Sequence, residues 1–237
     1  MRDLTRPVTV CPGVFQIGGS NITHFQDAAV FLVDCGGGKW FMVDSGAGRS
    51  GPALIENIHE VGGVPDDVSH LILTHCHIDH AGSAAYLKEQ LGCKVVAHRD
   101  DAHALKSPTH PAVAADLYGV EYRPVEVDIL LEEPKEEMVV GSVHLDLLHT
   151  PGHTPGSISP VAQVGTKKVL FGQDIHGPFD PAWGSDLDQW QRSMEILLDQ
   201  ECDILCEGHF GTFHGKNEVR SYIQNYLDRY GTTSQTH

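Results

Sequence analysis

The sequence predicts an α+β architecture in which two β-sheets pack together and helices cover their outer faces. Three observations carry this. Short apolar runs alternate with glycine-rich turns through most of the chain. Several strands followed by helix, strand and helix fill the first half, and the same order of types recurs in the second. No polar linker separates the halves, and 237 residues with 41% hydrophobic content suit a single domain spanning residues 1–237.

The elements follow in order. Val14–Ile17, Val30–Asp34 and Trp40–Val43 read as strands, and Gly36-Gly37-Gly38 between the last two marks a hairpin turn. Ser50 and Pro52 open a helix that places Leu54, Ile55, Ile58 and Val61 on one face and closes at Gly62-Gly63. Val68–Leu73 is a strand, residues 82–91 a helix stopped by Gly92, and Lys94–Ala97 a strand. The stretch 98–124, with Pro108 and Pro111, is the least regular and is expected to form a lid, a pocket wall or a dimer contact; Val113, Leu117 and Tyr118 would make it partly apolar. Strands resume at Val125–Leu131, Val139–Val140, Val143–Leu148, Ile158–Val164 and Val169–Phe171. Ser185 or Asp186 caps a helix with Leu187, Trp190, Met194, Leu197 and Leu198 on one face. A short strand at Ile204–Cys206 and an amphipathic helix at Lys216–Tyr230 close the chain.

The formal charge of −16, from 16 basic and 32 acidic residues, repels phosphate backbones, and the longest basic run is Lys167-Lys168. Nucleic acid is therefore not an expected partner. No apolar stretch reaches the roughly 18 residues of a membrane span, so no membrane association is expected. The six cysteines form no C-x-x-C pair and the first residues show no apolar leader, so reduced thiols and a cytoplasmic location are expected.

Sixteen histidines are many for this length, and their placement gives them meaning. Residues 74–82 read Thr-His-Cys-His-Ile-Asp-His-Ala-Gly, so His75, His77, Asp79 and His80 crowd the end of an apolar strand. Imidazole and carboxylate donors suit zinc, and also iron or manganese. Neighbours in sequence point in different directions, so four such donors do not close around one tetrahedral ion. Two adjacent ions, each completed from afar, resolve the geometry. The completing residues are sought at other strand ends beside glycine, where the backbone turns tightly. His153 follows Gly152 after Val143–Leu148, Asp174 follows Val169–Phe171 and Gly172, and His209 follows Ile204–Cys206 and Gly208.

These segments resemble the metallo-β-lactamase superfamily over nearly the whole chain. The resemblance rests on H-x-H-x-D-H at 75–80, T-P-G-H-T-P-G at 150–156, the Asp174 strand end and Gly-His at 208–209, in that order. It implies an αββα four-layer sandwich of two mixed sheets with the metals at one edge between them. It further implies that His75, His77 and His153 hold one metal, that Asp79, His80 and His209 hold a second, and that Asp174 bridges. The implied cofactor is two divalent ions, zinc first. A bridged pair would bring the pKa of bound water to about 7, so hydrolysis of a small-molecule thioester, ester or lactone needs no nucleophilic side chain, with Asp79 and Asp174 the catalytic carboxylates.

Within the superfamily, β-lactamases differ in the second-metal set, nucleases carry basic regions, and flavin-linked members add a flavodoxin-type domain. Glyoxalase II-like thioesterases and lactonases fit best, although only a short helical tail follows His209, where glyoxalase II adds a glutathione-binding helical domain. The alternative from another class is a persulfide dioxygenase holding one iron through His75, His153 and Asp174. A metal-free binding module would lack ligands, and all seven are present. His176, two residues past Asp174, is a candidate pocket residue or a support behind the ligands, and His24 and His214 are candidate rim residues. His149 reads as a structural strand-end residue and Cys76 as packing. A homodimer is the oligomer that the resemblance suggests.

Overall fold

A computed structural model describes residues 5–231. β1 (Val8–Cys11), β2 (Val14–Gly18), β3 (Val30–Asp34) and β4 (Trp40–Val43) form an antiparallel meander. After α1 (Gly51–Glu60) the chain adds β5 (Val68–Ile72) parallel to β4. Next come α2 (Ile78–Ala81) and α3 (Ala84–Leu91), and then β6 (Lys94–His98) parallel to β5. α4 (Arg99–Leu105), a 3₁₀ turn at Pro111–Val113 and α5 (Ala115–Tyr118) lead to β7 (Ile129–Leu131), which completes a seven-stranded sheet in the order β1 to β7. β8 (Lys135–Val140), β9 (Val143–His149), β10 (Ile158–Val164) and β11 (Lys167–Phe171) meander antiparallel through a second sheet. After a 3₁₀ turn at Pro181–Trp183 and α6 (Leu187–Asp199), β12 (Ile204–Cys206) pairs parallel to β11 and β13 (Thr212–His214) forms the edge. α7 (Lys216–Gly231) follows.

Strand alternation builds the four layers. Successive strand residues face opposite sides, and here both sides of each sheet are covered. In β3, Phe31 and Val33 point between the sheets while Val30 and Leu32 meet Leu54 and Ile58 of α1 and Leu87 of α3. In β11, Val169 and Phe171 enter the inter-sheet core, and Leu170 packs on Trp190, Met194 and Leu197 of α6. Three apolar layers therefore separate four layers of secondary structure, which is the αββα sandwich.

Some elements differ from their expected extents. Strand 125–131 shortens to β7, because the chain before it runs along α4 and β6, with Val125 N donating to Leu105 O and Asp128 N to Val95 O. Residues 139–140 extend backwards to Lys135, since an edge strand tolerates the charged face that hides it in the sequence. β1 and β13 were not expected, each being too short for a clear alternation. The helix expected at 82–91 has a turn ahead of it, α2, which carries Asp79 and His80. Val113 is buried in the core beneath the first sheet, not exposed to a pocket. Among the described residues no helix is long and apolar enough to cross a membrane, and all six cysteines are buried free thiols.

Candidate metal centre

All seven predicted ligands meet at one edge of the two sheets, past the ends of β5, β9, β11 and β12. β5 delivers His75 and His77, α2 delivers Asp79 and His80, and the loops after β9, β11 and β12 deliver His153, Asp174 and His209. Loops at the carboxyl ends of parallel strands converge on one edge, which is why residues far apart in sequence share a site. Glycine permits the approach. A Cβ on Gly208 would collide with Asp174 Oδ1 and stand 3.1 Å from His80 Cε1.

The donors form two groups. His75, His77, His153 and Asp174 bring one ligand atom each to within 4.8 Å of the others, and Asp79, His80 and His209 do the same. His153 Nε2 lies 2.9 Å from His77 Nδ1, and His80 Nε2 lies 3.4 Å from His209 Nε2. Asp174 reaches both groups: Oδ1 is 3.1 Å from His80 Nε2, and Oδ2 is 3.4 Å from His153 Nε2 and 3.3 Å from His209 Nε2. Asp79 Oδ2 is 3.3 Å from His209 Nε2.

Acceptors outside the cluster turn the imidazoles inward. Carbonyls only accept, so Pro178 O at 2.9 Å fixes the proton on His153 Nδ1 and leaves Nε2 facing its neighbours. Asp44 Oδ2 does the same at His80 Nδ1, at 2.8 Å. His75 Nδ1 lies 3.1 Å from Thr74 Oγ1. His75 Nε2 and His77 Nε2 are buried with no hydrogen-bond partner. An orphaned buried polar atom costs about 1–3 kcal/mol, so His75 Nε2 fits a cation better than it fits packing, while His77 turns its Nδ1 to the donors.

The charges agree. Burial, reinforced by the neighbouring imidazoles, holds His75 well below the usual histidine range, and burial pushes His77 down to about 3 and His153 to about 4. Burial opposes protonation of His80 and His209 as well, yet Asp174 and the other carboxylates prevail, raising His80 well above its usual range and His209 to about 10. Asp174 stays ionised because His209 and His80 outweigh its burial. The pocket thus combines neutral imidazoles with carboxylates that demand positive charge, the donor set of a divalent-cation site.

The profile of the metallo-beta-lactamase superfamily matches residues 25–209. The chain belongs to the metallo-β-lactamase superfamily. A probable metallo-hydrolase of Methanocaldococcus jannaschii is 30% identical over 179 residues, covering 73% of this chain and 84% of that protein. A hydroxyacylglutathione hydrolase of Haemophilus influenzae is 29% identical over 130 residues, 54% of this chain and 58% of that one. In structure, a metallo-β-lactamase of Cronobacter sakazakii superposes with a TM-score of 0.84 at 21% identity, covering 98% of this chain and 95% of the other; that likeness shows the fold. The superfamily's metallo-hydrolase character and the clustered His/Asp donors agree with each other.

A cleft of about 310 Å³ opens over the donors. His176 lines it, and its Nδ1 is 2.8 Å from Glu207 Oε1. Glu207 is fully buried, and its other oxygen accepts the backbone N–H of His209 and of Phe210, each at 2.7 Å, so His176 both faces the pocket and braces a ligand loop. His24 and His214 are not among the lining residues. His24 turns its Nδ1 to the N–H of Gln26 within its own loop, and His214 sits exposed on the edge strand β13. Cys76 points away, its thiol on Ala112 O. His149 ends β9 and donates Nε2–H to Pro155 O at 2.9 Å. Its ring stacks on that of His98, 3.7 Å apart at 10°, beside Asp100. Imidazole lone pairs lie in the ring plane, so two parallel stacked rings do not converge on one ion, and His98, Asp100 and His149 form no second centre.

Three contributors escaped the sequence reading, and a fourth, Tyr118, is read there only as part of an apolar wall. Asp44 holds His80 and accepts the N–H and Oγ1–H of Thr74. Its signal was partial: it follows a strand (β4) as Asp174 does, but its glycine, Gly46, comes after it, where Gly172 comes before Asp174. Tyr118 donates its hydroxyl to Asp79 Oδ2 at 2.8 Å. Trp183 stands edge-on to His77, with ring centroids 4.7 Å apart. Asp101 ties Cys76 N, Thr154 Oγ1 and Gly156 N together beneath the site. Nothing local in the sequence marks Trp183, Asp101 or the bond that Tyr118 makes.

Proposed function

We propose that the protein is a dinuclear metal-dependent hydrolase of a small-molecule thioester, ester or lactone. The reach of Asp174 into both donor groups carries this reading, because one carboxylate spanning both groups is what a pair of ions requires. His75, His77 and His153 would hold one ion, Asp79, His80 and His209 the other, and Asp174 both, with zinc the best match to these donors and iron or manganese acceptable to them. When bound, such a pair supplies Lewis acidity towards a carbonyl oxygen and brings water to near-neutral pKa.

The chain's own residues do the rest. Tyr118 donates to Asp79 Oδ2, the oxygen beside His209 Nε2, and so fixes the carboxylate that would accept a proton from the attacking water. Asp44 and the Pro178 carbonyl fix the tautomers of His80 and His153. Trp183 shields the His77 and His153 side from bulk solvent. The name of the H. influenzae relative gives a thioester substrate, which supports this reaction class.

Metal analysis of protein purified without added metal or chelator tests the reading. Close to two ions per chain, mainly zinc, with turnover of a thioester or lactone panel is expected. Close to one iron per chain, with oxygen uptake on glutathione persulfide, would replace it with the dioxygenase.

A further inference from the structure

The two sides of the cleft differ in chemistry. One side is the donor cluster with His176; the other is Ala114, Leu117, Tyr118, Pro178 and Trp183. These five come from two arms, 111–119 and 177–184, that face each other across the donors. The first arm is anchored firmly: Gln26 Nε2 donates to Tyr118 O at 2.8 Å, Tyr118 Oη to Asp79, and Arg49 Nη2 to Gly119 O at 3.2 Å. Left-handed backbone at Ala114 and Gly119 brackets α5 and turns Leu117 outward at the mouth, where it is 72% exposed.

Among the described residues, neither lysine nor arginine lines this cleft. Arg49, the cation tied to the arm, gives one of its N–H groups to the Gly119 carbonyl and is not among the lining residues. A second cavity of about 420 Å³ lies across His209, with Gln16, Ser20, Asn21 and Phe210 in its wall, and it too has no lysine or arginine among its described lining residues. Carboxylates and phosphates far from the reacting bond are recognised by bidentate arginine or by lysine. No described residue of either wall supplies that, and a chain of net charge −16 repels anions at long range.

We propose that the site selects uncharged substrates, with an apolar acyl or lactone ring seated between the two arms and a neutral leaving group. Glutathione and coenzyme A thioesters would then be disfavoured. This rests on the hydrolase reading above and adds the substrate class.

The test uses the metal-loaded protein and one acyl group, hexanoyl, carried on N-acetylcysteamine, on glutathione and on coenzyme A. The neutral N-acetylcysteamine thioester is expected to exceed the glutathione thioester in kcat/KM by tenfold or more at low salt, with coenzyme A lower still. The gap should narrow as salt screens the repulsion over a Debye length of about 10 Å at 0.1 M. Placing a cation at the mouth with Leu117→Lys should raise kcat/KM for the glutathione thioester about fivefold relative to the neutral one, the scale of one partly solvated charge contact, and Leu117→Glu should lower it. Equal or better turnover of the glutathione thioester by the unmodified protein would overturn the proposal while leaving the hydrolase reading intact. Absence of turnover on all three and on a hexanoyl ester and a six-carbon lactone, with two metals bound, would overturn both.

Discussion

Replacing Asp44 by Asn tests whether the support behind the ligands, and not only the ligands, sets metal affinity. Asp44 Oδ2 accepts His80 Nδ1–H at 2.8 Å, and Oδ1 accepts Thr74 N–H at 2.8 Å. Asparagine preserves the shape and tolerates the left-handed backbone at this position, where φ is 63°, so the turn survives. It carries one acceptor and one donor group where the carboxylate has two acceptors. If the oxygen stays on Thr74 N–H, the amide NH₂ meets His80 Nδ1–H, donor against donor, and His80 must move its proton to the nitrogen that faces the metal. If the oxygen turns to His80, Thr74 N–H is left buried and unpaired. Either way the imidazole loses a charged partner. Loss of such a support weakens metal binding about 10–100-fold, or roughly 1.4–2.8 kcal/mol. The loss should fall first on the ion proposed for Asp79, His80 and His209, and less on the one proposed for His75, His77 and His153, which Asp44 reaches only through Thr74. Zinc titration against a chromogenic chelator resolves the two affinities. Unchanged affinity in D44N, or equal weakening of both ions, would refute the reasoning.

Asp174→Ala should remove both metals and reduce turnover at least ~100-fold, because its oxygens reach both donor groups; two retained ions by elemental analysis, with full activity, would contradict the bridge. Tyr118→Phe should leave the fold and metals in place and lower kcat a few-fold to about tenfold, the worth of one hydrogen bond of ~0.5–1.5 kcal/mol to Asp79; unchanged kcat would show that Asp79 needs no such holding. His98 is buried, and desolvation followed by the neighbouring His149 pushes its pKa down to about 4. The unfolded chain takes up this proton near pH 6.5 and the folded one only near 4, so the contribution is present above about pH 6.5 and is lost as pH falls towards 4, up to about 3 kcal/mol over that span. His98→Asn, which keeps the N-cap on Asp100 N, should flatten the acid side of the urea-unfolding stability profile of metal-free protein. An unchanged slope would place the acid sensitivity elsewhere.

Much of the site was readable before folding was considered. His153, Asp174 and His209, as candidate ligands, each stand in a local context with a physical meaning: an apolar strand, a glycine that lets the chain turn, and a donor at the turn. That rule picked out these three and missed Asp44, which directly follows β4 with its glycine, Gly46, after it. Periodicity was informative where both faces of a strand are apolar and failed where a strand is short or charged, as in β1, β8 and β13.

The sequence by itself determined the ligand types, their order and the elements that carry them, because these depend on spacing along the chain and on backbone preferences of a few residues. Only the tertiary structure decided which side chains share a wall or a hydrogen bond. It brought Tyr118 from an irregular stretch onto Asp79, set Trp183 against His77, joined Glu207 to His176, and kept His24 and His214 out of the cleft lining. Such contacts join residues dozens of positions apart, and they are set by how the two sheets and their loops pack, for which no local pattern exists.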